Sequence, residues 1–334
     1  MAYFQDIFQT APPFLQFPAV LKKRPANGTM HLIGSDIQGV IHMTLRVRKA
    51  VCLLWAFFLL MPAFTTAEES GYTFRKTADV AGYFSDTLQY TIESVKINDT
   101  KVYLTRIWME DPGRQIRKAI SPWHEHLAKS EDLAAQIPEA ALAINGSGYV
   151  SKSYPWIPET YPGTSPDYYF TPLGSLTLLD GETLRNLEGV PYTGLTLQSD
   201  GLHMHVAEDN EAVLAASPTQ TWSFYEQCPL IRDGESILDR EWDFANRRAI
   251  RTIIAKLDDH NYVILTVTSQ HGLTLPVCTD FLLGEFAPEW AFNLDGGPSS
   301  ALIRREYGKK KQKLVYGSGQ KVVDVMAFTE LPRE

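Results

Sequence analysis

Residues 293–300, Asn-Leu-Asp-Gly-Gly-Pro-Ser-Ser, form the segment whose residue types could most readily do chemistry. The apolar run 290–292 precedes it and is typical of the end of a buried strand. Asp295 then stands beside two glycines, which let a backbone approach a ligand closely. Such a carboxylate can act as nucleophile or base at an electrophilic carbon. The same pattern also fits an ordinary Asp-Gly turn, so other segments must decide between the two.

A second strand-to-glycine turn and a cluster of arginines could complete such a site. The apolar run 140–144 leads into Asn145 and Gly146, which repeats the order of strand, amide and glycine. Segment 247–251 carries three arginines ahead of an apolar strand. A planar guanidinium suits phosphate oxygens, so these side chains could hold an anionic ligand. The alternative is that the arginines form a solvated charged face.

The composition and the missing standard motifs argue against several function classes. The net charge is −8 and the pI about 5.5, whereas nucleic-acid binders usually show a basic patch, so no nucleic-acid partner is predicted. The sequence contains neither a glycine-rich nucleotide-binding motif nor a Gly-x-Ser-x-Gly nucleophile motif. The pairs His124/His126 and His203/His205 lack a third ligand, so no metal and no cofactor is predicted.

The N-terminal region has the residue order of a secretory signal. Basic residues within 46–49 precede the apolar run 50–61, and small residues follow as far as Ala67. We therefore predict an exported protein, periplasmic or secreted, with residues 1–67 as extension and signal peptide. No stable membrane span is expected after cleavage, and an uncleaved anchor is the alternative. Translation could also start at Met43.

Strand patterns dominate the chain after the predicted signal. Alternating segments at 91–96 and 101–109 flank Asn98 and Asp99 and predict a hairpin. The Asp-Gly pairs beginning at Asp180, Asp200 and Asp233 predict three further tight turns between antiparallel strands. These patterns predict a sheet-rich fold.

The remaining patterns predict a few helices and complete the fold class. Helices are expected over 115–120, 124–136 and 275–286. The fold class is therefore α+β, a single domain with a mostly antiparallel or mixed β-sheet and a few packed helices. Lead-in strands are expected over 68–100 and the main domain over 101–330. Whether Cys228 and Cys278 pair is left open.

Five segments occur in the order and spacing of a known family. They are 103–118, 144–149, 251–255, 272–275 and 293–297. The second segment resembles the family's Asn-Gly-Gly-Phe-Phe turn, and the third resembles its Arg-Thr-Ala-Ile-Gly strand. On these segments, residues 101–328 resemble the phosphodiester glycosidase family, which includes the enzyme that uncovers mannose 6-phosphate by removing N-acetylglucosamine. Ser147, Ala255 and Pro298 replace glycines of the family pattern.

The resemblance implies hydrolysis of a sugar-1-phosphodiester at the anomeric C–O bond, on a phosphoglycan like an N-acetylglucosamine-1-phosphodiester. The implied catalytic residues are Asp295 as nucleophile or general base, Arg251 as holder of the phosphodiester anion, and Asn293. Asn293 and Asn145 would bind sugar hydroxyls or the acetamido group. The implied substrate-binding residues are Asn145, Gly146, Thr252, Gly296, Gly297 and Ser299. Retention or inversion stays open.

Two other functions fit the same sequence. The first is a non-catalytic glycan-binding or exopolysaccharide-assembly protein on the same scaffold. The second is a metal-dependent phosphodiesterase that cleaves the P–O bond. Product identification separates all three.

Overall fold

The computed structural model describes residues 71–149, 169–268 and 271–332. The first strands of these residues are β1 (Phe74–Phe84), β2 (Leu88–Ile97), β3 (Thr100–Met109), β4 (Ile116–Ile120), β5 (Ala128–Lys129), β6 (Ala140–Asn145), β7 (Leu176–Leu179), β8 (Glu182–Asn186), β9 (Tyr192–Gln198) and β10 (Gly201–Glu208). The later strands are β11 (Gln220–Trp222), β12 (Pro229–Arg232), β13 (Glu235–Ser236), β14 (Arg251–Lys256), β15 (Asn261–Val267), β16 (Trp290–Asn293), β17 (Ala301–Arg305), β18 (Gln312–Gly317), β19 (Lys321–Val322) and β20 (Asp324–Thr329).

Helices are few and mostly short. They are α1 (Pro112–Gln115), α2 (Ser130–Ala135), α3 (Asn210–Ala215), α4 (Asp243–Asn246) and α5 (Leu275–Glu285). The longest, α5, begins where the Thr274 hydroxyl accepts a hydrogen bond from the Val277 amide, with a proline in its first turn. None of the helices in the described part of the chain is long and apolar enough to cross a membrane.

Two antiparallel sheets carry most of the fold. The larger has eight strands in the order β1-β2-β3-β15-β14-β16-β12-β13, and the smaller has five in the order β18-β17-β6-β20-β4. A three-stranded sheet, β10-β9-β11, and two hairpin-sized pairs, β19-β5 and β7-β8, complete the described part. The mostly antiparallel sheets and few helices confirm the predicted α+β single domain.

The central strands β14, β15 and β16 of the eight-stranded sheet are buried on both faces, which explains their apolar runs. In β15, Tyr262 and Ile264 join the core shared with the five-stranded sheet. Val263, Leu265 and Val267 point to the opposite face, where α5 packs. Successive side chains of a strand alternate between faces, so a strand covered on both sides must be apolar throughout.

The predicted hairpins are largely confirmed. Strands β2 and β3 turn at Asn98 and Asp99, and the Asp180 and Asp233 turns join β7 to β8 and β12 to β13. The turn predicted at Asp200 and Gly201 lies one residue earlier, because Gln198 already pairs with Gly201. The strand and helix predicted over 140–144 and 275–286 are present.

Two predicted helices are wrong in extent or type. Residues 116–120 form a strand because their backbone pairs with β20, and this pairing overrides local preference. The helix expected over 124–136 begins only at Ser130. His124 has a φ of 63°, in the left-handed region that a right-handed helix cannot include. The aromatic loop 150–168, a candidate sugar-binding segment, lies outside the described residues, as does the predicted signal.

Candidate active site

A cavity of about 250 Å³ lies where the ends of β14 and β16 meet. It is lined by the polar residues Arg251, Asp295, Gly296, Gly297 and Ser299, by Ala249, Ile250, Leu173 and Pro298, and by the aromatic residues Tyr149, Phe224, Tyr225 and Phe244. Arg251 comes from the start of β14, Asp295 and Ser299 come from the segment after β16, and aromatic rings supply much of the rest of the lining. Such a mixture suits a ligand with apolar ring faces and a few fixed polar groups.

The loop after β16 is fastened to the start of β14. The Leu294 amide donates to the Thr252 carbonyl and the Gly297 amide donates to the Ile250 carbonyl, each at 2.9 Å. A Cβ on Gly296 would lie 2.8 Å from the Ile250 carbonyl oxygen, so only glycine allows this approach. The two strands thereby place Asp295 and Arg251 on the same cavity.

Asp295 is the carboxylate of the cavity, and its pKa is shifted. Desolvation is the main cause and raises the pKa of Asp295 to about 7, with a smaller contribution from the Asp324 charge. Hydrogen bonds from Ser299 and from the Gly296 amide, the latter at 2.8 Å, work in the opposite direction. A carboxyl group with a pKa near neutrality can take up and release a proton at physiological pH.

Arg251 is a buried cation without a counter-ion among the described residues. Only 1% of it is exposed, and its guanidinium lies 4.4 Å from the centroid of the Phe244 ring. Its Nη2 donates to the carbonyls of Phe244 and Arg247, while its Nε has no partner in the described residues. Burial lowers the pKa of Arg251. Burying a charge without a partner costs free energy, and binding of an anion beside Arg251 would offset that cost.

Asn145 does not line the cavity, and its side chain connects neighbouring segments of the chain by hydrogen bonds. It is fully buried, and its side-chain NH2 donates to the Asp295 carbonyl at 2.7 Å. Its Oδ1 accepts hydrogen bonds from the Thr252 hydroxyl at 2.8 Å and from the Ala301 amide at 3.0 Å. Asn145 therefore fixes the backbone that carries Asp295.

A buried ionic network supports the turn after Asn145. Asp324 forms an ion pair with Lys118 at 2.9 Å, with both side chains fully buried. It also accepts hydrogen bonds from the Ser147 amide at 2.6 Å and the Ser147 hydroxyl at 2.7 Å. A Cβ on Gly146 would lie 2.2 Å from the Asp324 carboxylate, so the network needs glycine there. The network thereby fixes the backbone at Ser147, two residues before Tyr149 in the cavity lining.

Comparison with known families decides the relationship of this chain. The family model for phosphodiester glycosidases matches residues 138–329, more than half of the sequence. The chain belongs to the phosphodiester glycosidase family. The match includes both cavity strands, the Asn145 turn and Asp324, whereas Lys118 lies before it. A search of curated proteins gave no significant match.

Two solved structures are similar to this phosphodiester glycosidase family member. The zebrafish N-acetylglucosamine-1-phosphodiester alpha-N-acetylglucosaminidase catalytic domain, described as auto-inhibited by its pro-peptide, superposes with a TM-score of 0.55 at 16% identity, covering 78% of this chain and 88% of that one. A hypothetical protein from Synechocystis has a TM-score of 0.47 at 13% identity, covering 74% and 63% of the two chains. At 16% identity the likeness to the zebrafish domain concerns the fold.

Two departures from the family's glycine pattern have structural explanations. Ser147 uses its hydroxyl to join Asp324 and to accept a hydrogen bond from the Ser223 amide. Pro298 lies in the first turn of a short 3₁₀ helix, Gly297–Ser299, where its fixed φ is compatible with the backbone. It is exposed at the rim of the cavity.

The structure separates the predicted site residues into two groups. Asp295, Arg251, Gly296, Gly297 and Ser299 line the cavity. Asn145, Gly146, Thr252 and Asn293 do not line it; Asn145, Thr252 and Asn293 are completely buried.

Asn293 and Cys228 are neighbouring buried residues that do not line the cavity. The Asn293 side-chain NH2 lies 3.5 Å from the Cys228 sulfur, and its Oδ1 has no partner among the described residues. Cys228 and Cys278 are buried free thiols, and burial raises the pKa of each to about 12. Thiols held in the protonated form are poor nucleophiles.

The sequence reasoning missed the aromatic wall and the Asp324 network. Phe224 and Tyr225 come from the loop after β11 and Phe244 from the short helix α4, and the rings of Phe224 and Tyr225 are tilted, with centroids 4.4 Å apart. The usable signal was the density of aromatics within 222–225 and 242–244. The pairing of Lys118 with Asp324 left no local signal, because 206 positions separate them and only the β4–β20 ladder joins them.

The raised pKa of Asp295 predicts a pH-dependent stability difference. The folded pKa is about 7 and the ordinary value is 3.8, so the native state holds an extra proton between these values and loses stability as pH rises through them. Asp295→Asn lacks this loss, so at pH 8 we expect it to be more stable than wild type by about 1–3 kcal/mol. The gap should close near pH 4. Thermal unfolding across this pH range measures it, and a pH-independent gap would contradict it.

Proposed function

We propose that this protein hydrolyses a sugar-1-phosphodiester at the anomeric C–O bond, giving a free sugar and a phosphomonoester. The observation that carries the proposal is the pairing, on one small cavity, of a buried arginine without a described counter-ion and a carboxyl group with a pKa of about 7. The cation calls for an anionic ligand, and the carboxyl group can move a proton at neutral pH. Membership of the phosphodiester glycosidase family supports the same reaction.

Arg251 is the proposed anchor of the phosphodiester. Its Nη2 is held by two carbonyls and its ring contact with Phe244 fixes the guanidinium plane. A guanidinium already oriented in this way loses little freedom when an anion binds. It also attracts the negative charge that develops on the departing phosphate oxygen.

Asp295 is the proposed catalytic carboxylate at the anomeric carbon. As a general base, it accepts a proton from the attacking water while the C1–O bond breaks and its electron pair passes to the phosphate. As a nucleophile, it forms a glycosyl ester that water then opens. Either role requires the ionised form, so kcat/KM should rise as pH increases through about 7.

Among the described residues, Asp295 is the one carboxylate that lines the cavity. Most glycosidases use two, one of them a general acid that protonates the leaving oxygen. A phosphate ester is stable as an anion when it leaves, so a strong general acid is less needed. The single carboxylate therefore fits a phosphorylated leaving group better than an ordinary alcohol.

The aromatic wall is the proposed sugar platform. Phe224, Tyr225 and Phe244 present ring surfaces to the cavity, and apolar faces of a sugar pack well on such rings. An N-acetylglucosamine unit would also place its acetamido methyl group against them. We accordingly propose an N-acetylglucosamine-1-phosphodiester-like phosphoglycan as the substrate class.

The purified protein incubated with UDP-N-acetylglucosamine or an alkyl N-acetylglucosamine-1-phosphodiester in H2¹⁸O tests the proposal. We expect free N-acetylglucosamine carrying the label and an unlabelled phosphomonoester. Label in the phosphate would instead identify P–O cleavage, and chelator sensitivity would mark that reaction as metal-dependent. Binding of the glycan without any product would replace hydrolysis by a non-catalytic binding or assembly role.

Export to the periplasm or the medium remains part of the proposal. It rests on the residue order within 43–67, which has the basic, apolar and small-residue sections of a signal. N-terminal sequencing of the mature protein tests it. A first residue close to Glu68 supports cleavage, whereas peptides from 1–42 would contradict the predicted start at Met43.

A further inference from the structure

A groove lies at the end of the five-stranded sheet opposite to the cavity. Strands β6 and β17 reach the cavity region with Asn145 and Ala301, and at their other ends Glu139, just before β6, and Arg305, at the end of β17, border the groove. The groove has a volume of about 1330 Å³, several times that of the cavity. The antiparallel order of the sheet brings the starts of β4, β6 and β18 and the ends of β17 and β20 to this one edge.

Five cationic side chains meet in the groove from separate parts of the chain. They are Arg114, Arg117, Arg305, Lys310 and Lys311. Among the described residues, only Arg114 of these five has a carboxylate within ion-pairing distance, Asp111 at 3.7 Å. A sixth cation, Lys118, also borders the groove, but its ammonium group is paired with Asp324. Unpaired cations are therefore concentrated here although the whole chain carries a net charge of −8.

Hydrogen bonds hold the Arg305 side chain in place, so the groove contains a fixed cation as well as exposed lysines. Its guanidinium donates to the Pro138 and Glu139 carbonyls, each at 3.0 Å, and to the Tyr83 hydroxyl at 3.3 Å. These bonds fix its orientation while leaving its charge uncompensated by any described carboxylate. A fixed guanidinium is a suitable partner for a carboxylate, sulfate or phosphate group.

Three carboxylates stand among these cations and narrow the choice of ligand. They are Glu139, Asp180 and Glu330. Carboxylates repel a ligand that carries only anionic groups and accept hydrogen bonds from one that also carries hydroxyl groups. An acidic oligosaccharide offers both kinds of group. Nucleic acid and polyphosphate expose a denser row of negative charges and fit this mixture less well.

We infer that this groove binds an acidic oligosaccharide, separately from the cavity that contains Asp295. Its cations hold the anionic groups and its carboxylates accept hydrogen bonds from hydroxyls. The site does not depend on the proposed hydrolysis. In a protein that acts on a phosphoglycan, it would hold a distant part of the same polymer.

Binding of a short oligogalacturonate, followed by calorimetry with the full protein, tests the groove because this probe contains no phosphodiester. The double variant Lys310→Glu/Lys311→Glu should weaken binding by about tenfold or more, since both side chains lie on an exposed turn and their loss reverses the local charge. The control Arg75→Glu/Lys101→Glu changes the total charge equally at exposed positions outside the groove and should bind as wild type does.

Three results would overturn the inference. The first is equal affinity in the groove variant and wild type. The second is tighter binding of an oligothymidylate of equal charge than of the oligogalacturonate. The third is loss of binding in Arg251→Gln, which would place the probe in the cavity instead. Failure of hydrolysis in the ¹⁸O assay would leave the groove result unchanged, so the two proposals fail independently.

Discussion

Asp295→Asn is expected to lower kcat on a glycosyl phosphodiester by about 10²–10⁴-fold, the range that a positioned acid–base group contributes. The amide cannot accept a proton from water and cannot form a glycosyl ester. The fold should survive because the amide oxygen can still accept the hydrogen bond from the Gly296 amide. Initial rates at pH 7–8 with saturating substrate measure the effect.

Asp233→Asn is the matched control for this substitution. It removes a carboxylate from another Asp-Gly turn, in the hairpin between β12 and β13, where Asp233 has a φ of 52° that asparagine also tolerates. Its activity should equal that of wild type. If Asp295→Asn turned over substrate as fast as Asp233→Asn, Asp295 would have no part in the chemistry. The anomer released first, followed by NMR, would tell a nucleophile from a base.

Arg251→Gln is expected to lower kcat/KM by about 10²–10³-fold, because a charged hydrogen bond to a desolvated anion is worth several kcal/mol. Most of the change should appear as a higher KM, since the phosphodiester is negatively charged in the ground state as well as in the transition state. Arg251→Lys should recover part of the loss because it restores the charge without the planar fork. The test compares KM and kcat separately for all three proteins.

Arg247→Gln provides the control. Arg247 is exposed, and its backbone carbonyl, which accepts the Arg251 hydrogen bond, is untouched by the change. It should leave KM within about twofold of wild type, as expected for a solvated charge. Thermal unfolding of each variant separates lost binding from lost folding, because Arg251 is buried. An unchanged KM in a folded Arg251→Gln protein would show that Arg251 does not bind the phosphodiester anion.

The sequence was most informative where local chemistry determines local structure. Hairpins at Asn98, Asp180 and Asp233 follow from turn residues that accept a left-handed backbone between alternating strands. The helix after Thr274 follows from its cap and from the proline in the first turn. Residues 116–120 gave a wrong helix, because a long-range ladder with β20 determines their conformation.

The same division applies to the three arginines at 247–251. From the sequence alone, a solvated face was the favoured interpretation for each single arginine and an anion site was the alternative. In the structure Arg247 and Arg248 are exposed, whereas Arg251 is buried against Phe244. Alternation along β14 places Arg251 on the same face as Ile253, toward α5 and away from the five-stranded sheet. Only the registered strand could select one arginine from three.

By itself, the sequence determined the fold class, most hairpins, the family pattern and the candidate pair Asp295 and Arg251. The tertiary structure decided which polar groups line the cavity and which form hydrogen bonds only with other groups of the protein. Asn145 has the same residue type and strand-to-turn position as a ligand-binding amide, yet its hydrogen bonds go to Asp295, Thr252 and Ala301. Buried polar groups must find partners, and the partners available are set by strands that are distant in sequence and adjacent in the sheets. That is why the turn at 293–300 could be found from its residues, and its surroundings could not.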